Sequence, residues 1–419
     1  MSKARDIADS TKTLDVDGGT IKLDGNYPVG SNNVALGNES LNGSISGSEN
    51  VAVGTYSLDA TTSGSYNSGL GYAALSGNTT GGANTAIGNG ALISSTTGSY
   101  NTGLGASALL NNTTASDNTA VGYQAGRSNT TGSPITAIGR KALYTNTTGA
   151  DNTALGRNSL FYNTTGGDNT SSGNEAMQAN TTGSYNTAYG SDSLRANTTA
   201  AANTAVGYQA LTTNTTGGDN AAFGYQAAQS NTTGDYLTAI GRQALYNNTT
   251  ADNNTAVGYK AAYSTTTGAY NTAFGYQTLL DNTTGYSNAA FAADAMGNNT
   301  TGFDNTALGN ASLYTNTTGS YNVALGRAAL QNNTTASQNT AVGYRALFTN
   351  STGGNNVALG TYALDLNTTG ASNTALGYLA LSANTTGTLN VSVGKDSMDS
   401  NTTGSSNVAL GVDALQSNT

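Results

Sequence analysis

The sequence predicts an all-β fold: a parallel β-solenoid, or β-roll, of about 23 seventeen-residue coils. Three observations carry that prediction. A glycine recurs every 17 residues from Gly37 to Gly411, with Ala292 the one departure. No insertion or deletion interrupts the spacing, so every unit must meet its neighbours in one register. The residues around the glycine alternate with period two, and no 3.6-residue period fits the apolar positions.

The unit is written out in Asn203-Thr-Ala-Val-Gly-Tyr-Gln-Ala-Leu-Thr-Thr-Asn-Thr-Thr-Gly-Gly-Asp219. Four places before the marker glycine stands Asn, in 21 of 23 copies, with Ile135 and Leu237 as exceptions. Thr or Val follows, then a tiny residue, then a large apolar one such as Leu36, Val53, Ile87, Phe223 or Leu410. Four places after the glycine comes Leu (Leu41, Leu58, Leu75), with Met177, Met296 and Met398 as substitutes. Asn-Thr-Thr-Gly then supplies residues that suit tight turns and positive φ. Such turn residues in every unit are poor helix material.

Stacking places like on like. The Asn columns become ladders whose amides bond up and down the stack. The Thr/Val, large apolar and Leu columns are read as the inward set, a thin continuous core that only neighbouring coils can bury. The tiny column then points outward as a flat strip. Its members Ala35, Ala52, Ala120, Ala205, Ala307 and Ala409 are the candidate subunit-packing residues, and a parallel homotrimeric rod is the simplest packing. The thin core favours such a partner over a merely crowded strand. At a rise of roughly 4.8 Å per coil the rod would be about 110 Å long; three intertwined chains would triple the rise.

Composition narrows function. The chain has 419 residues, 36% of them hydrophobic and only 9% charged, with 55 glycines and two prolines. That balance would suggest disorder without the period. Cysteine and histidine are absent, which removes disulfides and the commonest nucleophiles and metal ligands. No enzyme activity, cofactor or metal site is expected. A net charge of −9 speaks against nucleic acid and anionic membranes as partners. No apolar run reaches the ~18 residues of a membrane span. Acids such as Asp117, Asp151, Asp168, Asp219 and Asp304 are single carboxylates a coil or more apart, without the nonapeptide of calcium β-rolls. The Asn-Thr-Thr runs match the N-glycosylation pattern but read as turn and ladder chemistry.

Residues 1–30 differ from the rest. They hold 9 of the 37 charged residues, and the first asparagine is Asn26. Leu14, Val16, Ile21 and Leu23 alternate about Asp17-Gly18-Gly19, which predicts a short β-hairpin. They are the candidate anchor residues of an N-terminal adaptor; residues 31–419 are the repeat shaft. The opening Met1-Ser-Lys-Ala-Arg-Asp-Ile-Ala-Asp has no apolar h-region, so secretory export is not expected. The chain stops at Asn418-Thr419 partway through a coil, an open edge that oligomer contacts or another protein would have to cover.

Of 24 tyrosines, eight directly follow the marker, among them Tyr72, Tyr123, Tyr208, Tyr225, Tyr259 and Tyr276. These six are the candidate glycan contacts; aromatic pairs covering coil edges are the alternative. Six more, from Tyr66 to Tyr321, precede the Asn column. Eight of the ten basic residues beyond residue 30 lie one or two places after the marker, making a sparse basic edge.

The runs Asn33-Val-Ala-Leu-Gly37, Asn322-Val-Ala-Leu-Gly326 and Asn407-Val-Ala-Leu-Gly411 resemble the repeat of YadA-type trimeric autotransporter heads. The whole unit is similar to repeats in tail-fibre proteins of marine tailed phages. Lys3-Ala-Arg-Asp-Ile-Ala-Asp9 with Leu14-Asp-Val-Asp-Gly-Gly-Thr-Ile-Lys-Leu-Asp24 resembles N-terminal segments of those fibres. The resemblance implies a virion fibre or spike assembled in the host cytoplasm and carried on the particle. It would bind other virion proteins through residues 1–30, itself as a homotrimer, and a host receptor or glycan. The self-cleaving C-terminal chaperone domain of many such fibres has no counterpart in this sequence. A bacterial surface adhesin head and an ice-binding solenoid are the alternatives.

Overall fold

The computed structural model describes residues 32–42 and 45–417. The N-terminal adaptor, its hairpin with Leu14, Val16, Ile21 and Leu23, and the closing Asn418-Thr419 lie outside the described residues. The fold is the expected all-β parallel solenoid, with 23 strands among the described residues. Two compact units divide the chain, residues 1–203 and 204–419. The first holds β1 (Val34–Leu36) to β10 (Thr187–Tyr189), and the second β11 (Thr204–Val206) to β23 (Val408–Leu410).

Within each unit every strand pairs in parallel with the next in sequence, like column on like. In the first unit Val51, Ala52 and Val53 face Ser68, Gly69 and Leu70. In the second, Thr255, Ala256 and Val257 face Thr272, Ala273 and Phe274. One repeat therefore closes one coil of its own chain. Between strands the backbone keeps bonding along the stack: Gly71 N–H donates back to Val53 O at 2.8 Å, and Leu75 N–H onward to Ala91 O at 3.0 Å.

Two asparagine columns hold the coils from inside. In the first, the Asn50 side-chain oxygen accepts from both the backbone and side-chain N–H of Asn67, at 2.9 and 3.1 Å. In the second, within Asn-Thr-Thr-Gly, Asn163 Nδ2 donates to Asn146 at 2.7 Å and to the Gly166 carbonyl at 2.9 Å. Both columns converge on that turn carbonyl: Gly81 O accepts from Asn67 at 2.9 Å and Asn78 at 3.0 Å. Buried amides are tolerable only when their donors and acceptors are matched, and the 17-residue register matches them coil after coil. A threonine column beside them adds bonds such as Thr79 Oγ1 to Thr96 O, 3.0 Å.

The two faces of the strand are the reverse of the sequence reading. The tiny column points inward: Ala52, Ala120, Ala205 and Ala307 are wholly buried within their own chain, and Ala409 nearly so. Ala35, in the first coil, is partly exposed. This column is core, not a strip for a neighbouring chain. The reason is how little room lies beneath it. A Cβ on Gly69 would stand 2.5 Å from the Ser57 hydroxyl, and one on Gly103 only 3.3 Å from Leu92 Cγ. The Thr/Val and large apolar columns point outward instead. Bulk in the core comes from the Leu column, which is inward as expected but lies in a turn, not a second strand.

That turn is left-handed. Leu75 has φ 56°, Leu92 53° and Leu143 50°. Two other columns, represented by Gln209 and Asp219, also have positive φ. The Asn-Thr-Thr-Gly residues, where positive φ was expected, are absent from that set among the described residues. A non-glycine residue in this region costs ~1 kcal/mol or more and persists only where its surroundings over-determine it. Here burial of Leu and the bonds to both adjacent coils do so.

One departure from the consensus is matched by a neighbour and another is not. Gly126 takes the place of Leu, and Ile135, one of the two Asn exceptions, fills the space with Cδ1 3.5 Å from where a Gly126 Cβ would stand. Ser95 replaces Asn in the second ladder without such compensation: the Asn78 side-chain oxygen and the Ser95 hydroxyl are both buried and receive no protein hydrogen bond. Ser95→Asn should restore both rungs and raise stability by ~1–2 kcal/mol. Thermal unfolding checks this, and an unchanged or lower midpoint would count against the ladder account.

The marker glycine is a second constraint. Gly224 has φ 140°, and a Cβ there would sit 2.7 Å from the Gly241 carbonyl carbon. Ala292 shows how alanine is accommodated, with φ drawn down to 92°. Gly224→Ala should therefore cost about 1–3 kcal/mol, seen as a lowered unfolding midpoint. The same change at Gly90, where a Cβ would meet nothing within 4 Å, should cost less.

Candidate functional site

Outward residues of the strand and its flanks form the candidate site. Period two places the Thr/Val column, the large apolar column and the residue after the glycine on the open side. The apolar column is exposed along both units: Leu70 is 48% accessible and Leu104 42% in the first, Phe274 53% and Leu308 50% in the second. Isolated surface leucines need no explanation, but a row of apolar residues in successive coils does. The alanine packing candidates lie directly behind this row, on the buried side of the same strands.

One sequence signal did mark this face. The large apolar column runs from Ser172 to Tyr189 in adjacent coils, a range no closed core could accept, whereas the tiny column never exceeds serine.

The residues after the glycine form the next outward column, and here the structure brings four of the six tyrosine candidates together. Tyr208 stacks on Tyr225 at 5.5 Å between ring centres, and Tyr259 on Tyr276 at 5.4 Å. Arg242, in the coil between the pairs, lies 5.4 Å from the Tyr225 ring centre and 6.0 Å from that of Tyr259. Five successive coils thus carry one continuous aromatic–guanidinium stack. Tyr72 meets Tyr56 edge-on at 5.9 Å, a pair remote in sequence from that stack, and Tyr123 is exposed. The stacking distances approach strand spacing because identical columns repeat at that interval.

A second aromatic column lies beside it, five places after the glycine. Tyr246 stacks on Tyr263 at 5.0 Å, with Lys260 Nζ 4.9 Å from the Tyr263 ring centre. In the first unit Tyr144 stacks on Phe161 at 4.9 Å, with Lys141 over both rings. Five members of the basic edge, Lys141, Arg242, Lys260, Arg327 and Arg345, each lie over an aromatic ring, as does Arg127 outside it. Arg345 also grips Asp365 through two nitrogens at 3.2 Å. Burial nevertheless pushes the Asp365 carboxyl above its usual range, against the opposing pull of that guanidinium.

Among the described residues no group of three or more acids is placed to hold a metal ion. No helix among them is long and apolar enough to cross a membrane. The chain matches no protein-family model, and no curated protein matches it.

If the Tyr208–Tyr276 stack is held by Arg242, Arg242→Ala should split it and lower stability by about 1 kcal/mol. Arg242→Gln, which keeps a planar group but no charge, should recover only part. Equal midpoints for the wild type and both variants would show that the cation contributes nothing.

Proposed function

We propose that this chain is a structural, non-enzymatic element of a phage virion fibre or spike that extends from the particle and contributes to host-cell attachment. The carrying observation is the outward apolar column on the outer strand face, which recurs in both units with stretches of an aromatic–cationic edge beside it. Such a face suits self-association in a parallel homotrimer. With strands ~4.8 Å apart and outward columns spanning ~10 Å, it offers on the order of 400 Å² in the first unit and 600 Å² in the second. In a trimer each face is shared between two neighbours, so each pairwise contact would bury on the order of 400 Å² through the first unit and 600 Å² through the second. The subunit contact in this reading belongs to the Thr/Val and large apolar columns.

The resemblance to phage fibre repeats and to trimeric autotransporter heads supports the appendage reading. The tyrosine edge, where Tyr208, Tyr225 and Tyr276 are exposed and Tyr259 half-buried, is the part suited to a receptor glycan. Weak contacts repeated by coil and by subunit would add through multivalency. Residues 1–30 would join other virion proteins.

Two measurements test this. Analytical ultracentrifugation should show a trimer at micromolar concentration. Changing Phe223, Phe274 and Leu308 together to Glu should yield monomers that keep the β circular-dichroism spectrum; a monomeric wild type would end the trimer reading. Immunogold labelling with antibody to this chain should decorate an appendage of purified phage particles. Label confined to the bacterial surface would favour the adhesin instead.

A further inference from the structure

The outer strand face is flanked by two columns of opposite character. The residue just after the marker glycine is a cation five times (Arg140, Arg157, Arg242, Arg327, Lys395), tyrosine eight times and never an acid. The residue just before the Asn column is an acid six times, tyrosine six times and never a cation. Both columns are open to solvent where they carry charge: Asp151 and Asp219 are exposed on one edge, Arg157 and Arg242 on the other. Six coils thus carry an acid where the strand begins and five a cation where it ends, and the coil of Gly156 carries both.

In five coils the two edges carry complementary groups. The coil of Gly156 carries Asp151 and Arg157, that of Gly224 carries Asp219 and Tyr225, and that of Gly241 carries Tyr236 and Arg242. These are carboxylate with guanidinium, carboxylate with phenol hydroxyl, and aromatic ring with guanidinium, each a favourable pairing at close range. No coil sets like charges at the two positions. The members of a pair cannot meet within one chain, because the extended strand of their own coil lies between them. Arg157 already bonds Glu175 of the next coil at 2.7 Å, yet its side chain remains 52% accessible, so the guanidinium still has an open side.

The geometry points to a seam between two copies of this chain: the acid/tyrosine column of one against the cation/tyrosine column of the next, coil by coil in register. This rests on the parallel self-association proposed above and adds which columns meet and in what register. A symmetry axis along the stack turns the end of one strand toward the start of its neighbour's, so unlike edges meet. An axis along the strands would set the anionic edge against itself. Burial of the apolar row drives association, and the seam selects parallel over antiparallel and penalises slippage by a coil.

The chain has no cysteine, which gives a clean test. A disulfide needs Cα atoms within ~7 Å, so residues on opposite edges of one coil cannot join within a chain. D151C/R157C should give covalent dimers and trimers on a denaturing gel after mild oxidation, while D151C and R157C alone should not. Self-linking of D151C would mean that like edges meet and would overturn the seam. So would a chain that sediments as a trimer yet gives no link in the double variant, and in that case self-association would stand. A monomeric wild type would overturn both. Y236C/R242C, in the second unit, repeats the test where the first pair disturbs folding, with circular dichroism as the check.

Discussion

Vertical hydrogen bonding in register is the constraint on which everything else in this structure depends. A coil of seventeen residues encloses too little apolar volume to hold itself together, and its interior is lined by alanine, leucine and asparagine. Burying so much amide would be ruinous if the groups were unmatched. Stacking at one fixed depth matches nearly all of them: an asparagine oxygen such as that of Asn50 meets the amide of the next coil, and a turn carbonyl such as that of Gly81 receives from both asparagine columns. Polar ladders thus supply specificity, and the thin apolar stripe supplies the driving force.

The same register explains what is otherwise costly. Leucines with positive φ and a marker glycine pressed against the glycine of the next coil are unfavourable choices in isolation. They recur because one backbone path serves every coil, and each coil must present the same bonding groups above and below. A side chain can change only where its column has space. Gly126 with Ile135 shows such a change compensated inside the core, whereas Ser95 shows one that is not.

The coil, its length, the parallel pairing and the asparagine ladders were all legible in the sequence, because a strict period and an amide column leave few alternatives. The side of the strand that faces inward was not. Thr-Ala-Val reads as two large residues and one small, and general hydrophobicity assigns the large ones to the core. That rule fails because the interior has no depth: with left-handed leucines filling it from across the coil, nothing larger than serine stands behind the strand. Size variation down a column was the better guide, since Ser172 and Tyr189 in adjacent coils cannot share one packed space. The aromatic stacks were half legible. The tyrosine columns were visible, but the insertion of Arg242 between two tyrosine pairs needed the coil spacing to make it a contact.

The uniform backbone path carries an evolutionary implication. Because neighbouring coils are interchangeable to the bonds that join them, a genetic exchange between misaligned repeats would remove or add whole coils and leave every remaining junction intact. Length in such a protein is then a quantised and nearly neutral variable. A deletion of one codon, by contrast, would shift every column downstream of it by one place in its coil, so the reading of the fold is protected by its own grammar.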